Sequence, residues 1–234
     1  MNTIKELNLL NQKIVYNITK FTTTDYVGHL SCIVWFVSCN FRCLYCYNDI
    51  IVYTKKGNYT QNDVLEFLKT RKGLLDAVVL SGGEATIHNL ISLCIEIKKM
   101  GFKIKLDTNA TNLLQIKKLI NLNLLDYIAI DFKAPSYKFK KIVGVDMYDN
   151  TIKTIQYLIR IDFSFELRTT INKSLLDEND INELIKTISN LGYKKTYYLQ
   201  NFLETSSNIG NISKSSDIDK NKIDCQNLTI QYRN

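Results

Sequence analysis

Proline is almost missing from this sequence: Pro135 is the only one among 234 residues, so a proline-rich or repetitive linker is excluded. Long apolar runs are missing too. The longest, Ile33 to Val37, is the size of one strand, and nothing approaches the ~18 residues of a membrane span. Met1 to Leu10 carries Lys5 and Glu6 and lacks the continuous apolar core of a secretory leader. These absences predict a cytoplasmic protein with no membrane partner. No nucleic-acid-binding motif stands behind the formal charge of +7, which is modest for this length, and no nucleic-acid partner is expected. The lysine pairs Lys98-Lys99, Lys117-Lys118 and Lys140-Lys141 read as a solvated basic surface, with a docking face for an acidic partner as the alternative.

What is present is an ordinary globular composition. With 45% hydrophobic and 23% charged residues, the chain can bury one sizeable core, whereas two full domains would be cramped. Strand-like and helix-like segments alternate. Ser31–Val37, Asp76–Leu80, Phe102–Leu106, Asp126–Ile130, Phe163–Thr170 and Lys195–Leu199 are short, apolar and rich in β-branched or aromatic residues, as strands are. Between them, Thr60–Lys72, His88–Met100, Asn112–Asn121, Tyr148–Ile161 and Glu178–Leu191 carry the spacing of helices. Ile14–Phe21 reads as a further short strand or hairpin ahead of them. This alternation predicts an α/β fold with a mostly parallel sheet and outer helices. The expected organisation is a single domain over residues 1–203. A polar, mobile tail over 204–234 follows, in which Asn227 to Arg233 alternates as an edge strand does.

Polar clusters fall at the ends of successive strands: Ser38–Asn48, Ser81–Glu84, Asp107–Asn109, Asp131–Lys133, Glu166 with Arg168, and Gln200-Asn201. In parallel α/β folds the carboxyl ends of the strands share a face, and that face holds the active site. Three of the six cysteines sit in the first cluster as C-x3-C-x2-C, at Cys39, Cys43 and Cys46. Structural zinc takes four protein ligands, and a fourth is hard to find nearby. Three thiolates leave one iron of a cubane cluster open to a substrate or cofactor, which favours an iron–sulfur cluster over zinc or a metal-free thiol site. Cys32, Cys94 and Cys225 read as ordinary residues, and three thiols cannot hold two further four-cysteine clusters.

Taken together, FTTTDYVGHLSCIVWFVSCNFRCLYCYN (21–48), LSGGEAT (80–86), IKLDTNAT (104–111), DYIAIDFKAP (126–135), FELRTTI (165–171) and YYLQNF (197–202) resemble the radical S-adenosylmethionine (SAM) superfamily. They resemble most its branch of anaerobic ribonucleoside-triphosphate reductase activating proteins, which are glycyl-radical-enzyme activases. The resemblance implies a partial (β/α)6 barrel of the radical SAM type. It also implies a four-iron four-sulfur cluster on Cys39, Cys43 and Cys46, with S-adenosyl-L-methionine as cofactor. By the same resemblance Tyr45 meets the adenine, Gly82, Gly83 and Glu84 meet the methionine amino group, and Lys133 meets its carboxylate. Asp107, Thr108 and Asp131 match positions around a monovalent cation, Arg168 a cofactor- or partner-contacting position, and Tyr47 and Asn109 complete the cofactor set. Val27, Tyr47, Ala85 and Ala110 depart from the family's usual Pro, His, Pro and Gly.

The activity so implied is a reductive cleavage of the cofactor. The resulting deoxyadenosyl radical takes a hydrogen from a glycine of a partner, here an anaerobic ribonucleotide reductase. A low-potential donor such as flavodoxin or ferredoxin supplies the electron. The alternative is a small-molecule radical enzyme such as 7-carboxy-7-deazaguanine synthase. A third reading, from another class, is a zinc-binding or scaffold protein.

Overall fold

The computed structural model describes residues 9–233. The reading of Met1 to Leu10 as lacking a leader falls mainly outside them. The chain divides into two compact units. Among the described residues, one comprises 9–40, Ile50–Thr108 and Asn112–Ile128, and the other Phe41–Asp49, Asn109–Thr111 and 129–233.

In the first unit, β1 (Val15–Thr22) runs antiparallel to β2 (Ser31–Phe36). β3 (Ala77–Gly82) and β4 (Lys103–Thr108) follow in parallel, Ile33 standing against Val79 and Val79 against Lys105. The run SCIVWF forms β2 because five of its six side chains are buried; the exception, Trp35, is half-buried and donates its indole N–H to Thr19 Oγ1 at 2.8 Å. The connections are helical: α1 (Asp49–Tyr53), α2 (Gln61–Lys69), α3 (Ile91–Lys99) and α4 (Leu113–Asn121). Thr60 starts α2 with a reciprocal capping box to Asp63, and Asn112 caps α4 through Gln115 N–H. The helix expected from His88 begins only at Ile91. Ahead of it, Ala85–Ile87 form a tight 3₁₀ turn in which the Glu84 side chain accepts from Thr86 N–H.

In the second unit, β6 (Phe165–Ile171), β7 (Tyr197–Asn201) and β8 (Ile230–Arg233) are parallel. Its helices are α5 (Ser136–Val143), α6 (Tyr148–Arg160) and α7 (Glu178–Asn190). α5 was passed over in the sequence pattern, although Phe139, Ile142 and Val143 carry helical spacing and are buried. An aromatic cluster of Phe41, Phe139 and Tyr148 fills the space beside it, with edge-on ring pairs at 5.7 and 5.5 Å. Tyr137 Oη and Lys138 Nζ both donate to Asp180, at 2.8 and 2.5 Å, and so tie α5 to α7. In the polar C-terminal segment Ile218, Ile223 and Leu228 are nevertheless buried.

β5 (Tyr127–Asp131) contributes Tyr127 and Ile128 to the first unit and Ala129 to Asp131 to the second. The strand order follows the chain from β1 to β8, with an edge strand at either end rather than a closed ring. The α/β class and the mostly parallel sheet expected from the alternation are thus observed. Among the described residues no helix is long and apolar enough to cross a membrane.

Candidate functional site

In the first unit the cysteine loop opens with a strained residue. After β2 the chain turns through Ser38, whose φ of 64° is left-handed and costs a non-glycine residue about 1 kcal/mol. Three hydrogen bonds hold it there: Ser38 N–H to Ile51 O at 2.9 Å, Ser38 Oγ to Thr54 O at 2.7 Å, and Glu84 N–H to Ser38 O at 2.8 Å. Gly83 N–H donates to Phe36 O at 2.8 Å. The glycine turn is therefore a backbone brace on the residues leading into Cys39. A side chain at Gly83 would put its Cβ 1.8 Å from Ser38 O, which is why the second glycine must be one.

The Glu84 carboxylate is buried. Its Oε1 accepts from Thr86 N–H at 3.1 Å, Thr86 Oγ1 at 2.6 Å and Thr108 Oγ1 at 2.7 Å. Beside it on β4, Asp107 pairs with Lys105 Nζ at 3.0 Å and accepts from Ser81 Oγ at 3.4 Å. Lys105, which the sequence reading did not single out, is buried and also donates to Asp25 O at 2.5 Å. Its only signal was a lysine at a core position of a strand.

In the second unit the loop continues through Cys43, Tyr45 and Cys46, with Cys46 N–H donating to Cys43 O at 2.9 Å. Burial pushes the Cys43 thiol up to about 11 against the pull of Lys133, and burial raises Cys46 as well. A metal that takes these thiols must therefore displace their protons. The Tyr45 ring is buried with Lys133 Nζ 5.6 Å from its centroid. Its hydroxyl has no hydrogen-bond partner among the described residues, an unusual condition for a buried phenol. Lys133 Nζ pairs with Asp131 Oδ2 at 3.0 Å, and Arg168 Nε with Asp131 Oδ1. Burial alone would raise the Asp131 carboxyl, but the Arg168 and Lys133 charges hold it well below the usual carboxylate range. Tyr47 is half-exposed, and Asn109 closes its own turn by accepting from Thr111 N–H and Oγ1. Ala110, where the family's usual residue is glycine, is held at a φ of 62°, the conformation glycine adopts freely.

Asp131→Asn is expected to destabilise the fold by about 2 kcal/mol, below the range for a fully buried pair because the carboxylate is partly exposed. The pH dependence has a definite sign. A carboxyl depressed in the folded state contributes stability above its ordinary value of 3.8 and loses it as pH falls through the lower folded value. Wild type should therefore lose, between pH 5 and acid, an increment of denaturation free energy that Asp131→Asn lacks; parallel pH profiles would refute this.

A cluster and its cofactor were expected here, and the residues fit them. The three thiols of the triplet form no disulfide, and the buried Tyr45 hydroxyl has no hydrogen-bond partner among the described residues. Among the described residues no three His, Cys, Asp or Glu side chains are gathered as ligands of one metal ion, whereas a cubane takes each thiolate on a separate iron. Cys32 and Cys94 are buried, their thiols pushed up to about 12, and Cys225 is exposed.

The model of the Radical SAM superfamily matches residues 33–195. A Methanocaldococcus jannaschii protein assigned by name as a glycyl-radical enzyme activating enzyme is 32% identical over 185 residues, 75% of each chain. A Saccharolobus islandicus protein assigned by name as a GTP 3′,8-cyclase is 28% identical over 170 residues, 69% of this chain and 53% of its own, so the chain spans about half of that relative. Streptococcus suis SuiB bound to S-adenosylmethionine superposes with a TM-score of 0.61 at 19% identity, covering 77% of this chain and 42% of SuiB, a likeness of fold.

Proposed function

The chain belongs to the Radical SAM superfamily, and from that premise we propose that it is an activase that installs a glycyl radical on a partner enzyme, an anaerobic ribonucleoside-triphosphate reductase. The observation that carries this reading is the 32% identity to the M. jannaschii activating enzyme over three quarters of both chains. Membership implies a four-iron four-sulfur cluster and S-adenosylmethionine, which when bound supply a one-electron cleavage that yields a hydrogen-abstracting radical.

The chain's own residues have separate tasks. Cys39, Cys43 and Cys46 would hold the cluster. Lys133 would bind the cofactor carboxylate, and Asp131, which it shares with Arg168, keeps its ammonium charged. Gly82 and Gly83 pack against the backbone of Phe36 and Ser38 and brace the loop into Cys39, Glu84 offers a carboxylate oriented by Thr86 and Thr108, and Tyr45 a buried ring and hydroxyl. The monovalent cation finds no support in this arrangement, because Asp107 already meets Lys105 and Asp131 meets Lys133 and Arg168.

The second reading is a radical enzyme acting on a purine nucleotide or pterin, favoured by the likeness to the S. islandicus cyclase. Electron paramagnetic resonance separates the two. Reduced protein, S-adenosylmethionine and the host's anaerobic ribonucleotide reductase are expected to give a carbon-centred doublet on the reductase that loses its splitting when glycine is α-deuterated. No radical on that partner, together with turnover of free GTP or a pterin, would establish the second reading.

A further inference from the structure

The segment Arg42–Cys46 is gripped along both backbone edges. On one edge, Arg42 N–H donates to Val143 O at 2.8 Å and Leu44 N–H to Ile142 O at 2.9 Å, both carbonyls at the end of α5. On the other edge the donors come from a turn more than 160 residues further along the chain. Gly210 N–H donates to Leu44 O at 2.7 Å and Ile209 N–H to Cys46 O at 3.0 Å. A Cβ at Gly210 would lie 2.8 Å from both Leu44 Cβ and Leu44 O, so only glycine allows this approach. Asn208 locks the turn: its Nδ2 donates to Ile212 O and its Oδ1 accepts from Ile212 N–H, both at 2.8 Å, and Asn211 adopts a φ of 50°. Ile209 and Gly210 are only half-buried, so the turn adds little apolar burial at this point. What it adds is two N–H donors aimed at the carbonyls of Leu44 and Cys46.

We infer that the Asn208–Ile212 turn is a clasp that fixes the backbone carrying Cys43 and Cys46, with Ile209 and Gly210 as positioning residues for the cluster. The inference rests on the reading of Cys43 and Cys46 as cluster ligands. A loop held in shape before metal arrives has less conformational freedom to lose when its thiolates bind, and the bound cluster is released more slowly.

The test compares Gly210→Val, which wedges the clasp open, with Asn208→Ala, which unlocks the turn without adding bulk, and Asn208→Asp, which keeps the acceptor to Ile212 N–H. Two readouts are taken: alkylation of Cys46 by N-ethylmaleimide in metal-free protein, and iron release to a chelator from loaded protein. Loss of one or two neutral hydrogen bonds predicts both rates about tenfold faster in Gly210→Val and Asn208→Ala, with Asn208→Asp in between, while alkylation of the buried Cys94, which reports general unfolding, does not rise by the same factor. Wild-type rates in both variants would overturn the clasp, as would an equal acceleration at Cys94. Cys43→Ala is run alongside. If that variant keeps a full cluster, the ligand reading is what has failed.

Discussion

Cys43→Ala protein, reconstituted without oxygen, is expected to carry no four-iron cluster and to cleave no S-adenosylmethionine. Cys32→Ala, Cys94→Ala and Cys225→Ala should hold ~4 iron and ~4 sulfide per chain and keep most of their activity. Each thiolate of a three-cysteine cluster holds a different iron, so removing one leaves a second iron without a protein ligand. The other three thiols cannot substitute. Cys32 lies inside β2 and Cys94 inside α3, both packed in the core and outside the cysteine loop. Cys225 is exposed. Iron and sulfide analysis with the absorption of the reconstituted proteins checks all of these variants. A Cys225→Ala protein as impaired as Cys43→Ala would sink the triplet assignment, and stoichiometric zinc without sulfide would favour the metal-binding scaffold.

Gly83→Ala should cost more than about 3 kcal/mol, beyond the usual cost of overpacking, because the clash is with backbone rather than with the end of a flexible side chain. The added Cβ would sit 1.8 Å from Ser38 O and 2.6 Å from Ser38 C. To make room, the chain must give up the bond from Glu84 N–H to Ser38 O, the bond from Gly83 N–H to Phe36 O, or both. Losing the Glu84 bond removes one of the three that hold Ser38 in its left-handed conformation, and losing the Gly83 bond loosens the turn from β2, so either weakens the brace at the start of the cysteine loop. Urea denaturation measures the effect, and a Gly83→Ala protein within about 1 kcal/mol of wild type would show that the brace is not rigid. At Gly28, whose φ of 79° faces open space, alanine meets no such contact and costs only its backbone strain.

Much of the fold was legible in local patterns. SCIVWF is buried along nearly its whole length, and strand and helix periods alternate down the chain, so β2, β3, β4 and α2 fall close to where the periodicity puts them, while the short α1 was passed over. The ends were less legible. α3 starts three residues later than its apolar pattern because Glu84 caps a 3₁₀ turn first, and α5 was hidden behind Pro135. The site was legible as residue types. The cysteine spacing, the glycine turn and the charged ends of β4 and β5 all stood out, but their partners did not. The i, i+2 spacing on β4 puts Lys105 and Asp107 on one face, a pairing the sequence reading passed over, but nothing announced that Arg168 shares Asp131 with Lys133 or that the Tyr45 hydroxyl is left unmatched.

By itself, then, the sequence determined the α/β alternation, the cores of the strands and the cysteine triplet. Each of these is written in neighbouring residues, through a period of two, a period near four, or a fixed spacing along one loop. Only the tertiary structure decided which charges are neutralised, which backbone must be glycine, and that a turn at Asn208–Ile212 closes on the cysteine loop. Apart from the pairs Lys105–Asp107 and Lys133–Asp131, which lie two positions apart, these contacts join residues tens to more than a hundred positions apart. Long-range packing sets such pairings, and it leaves no period in the chain for a reader to find.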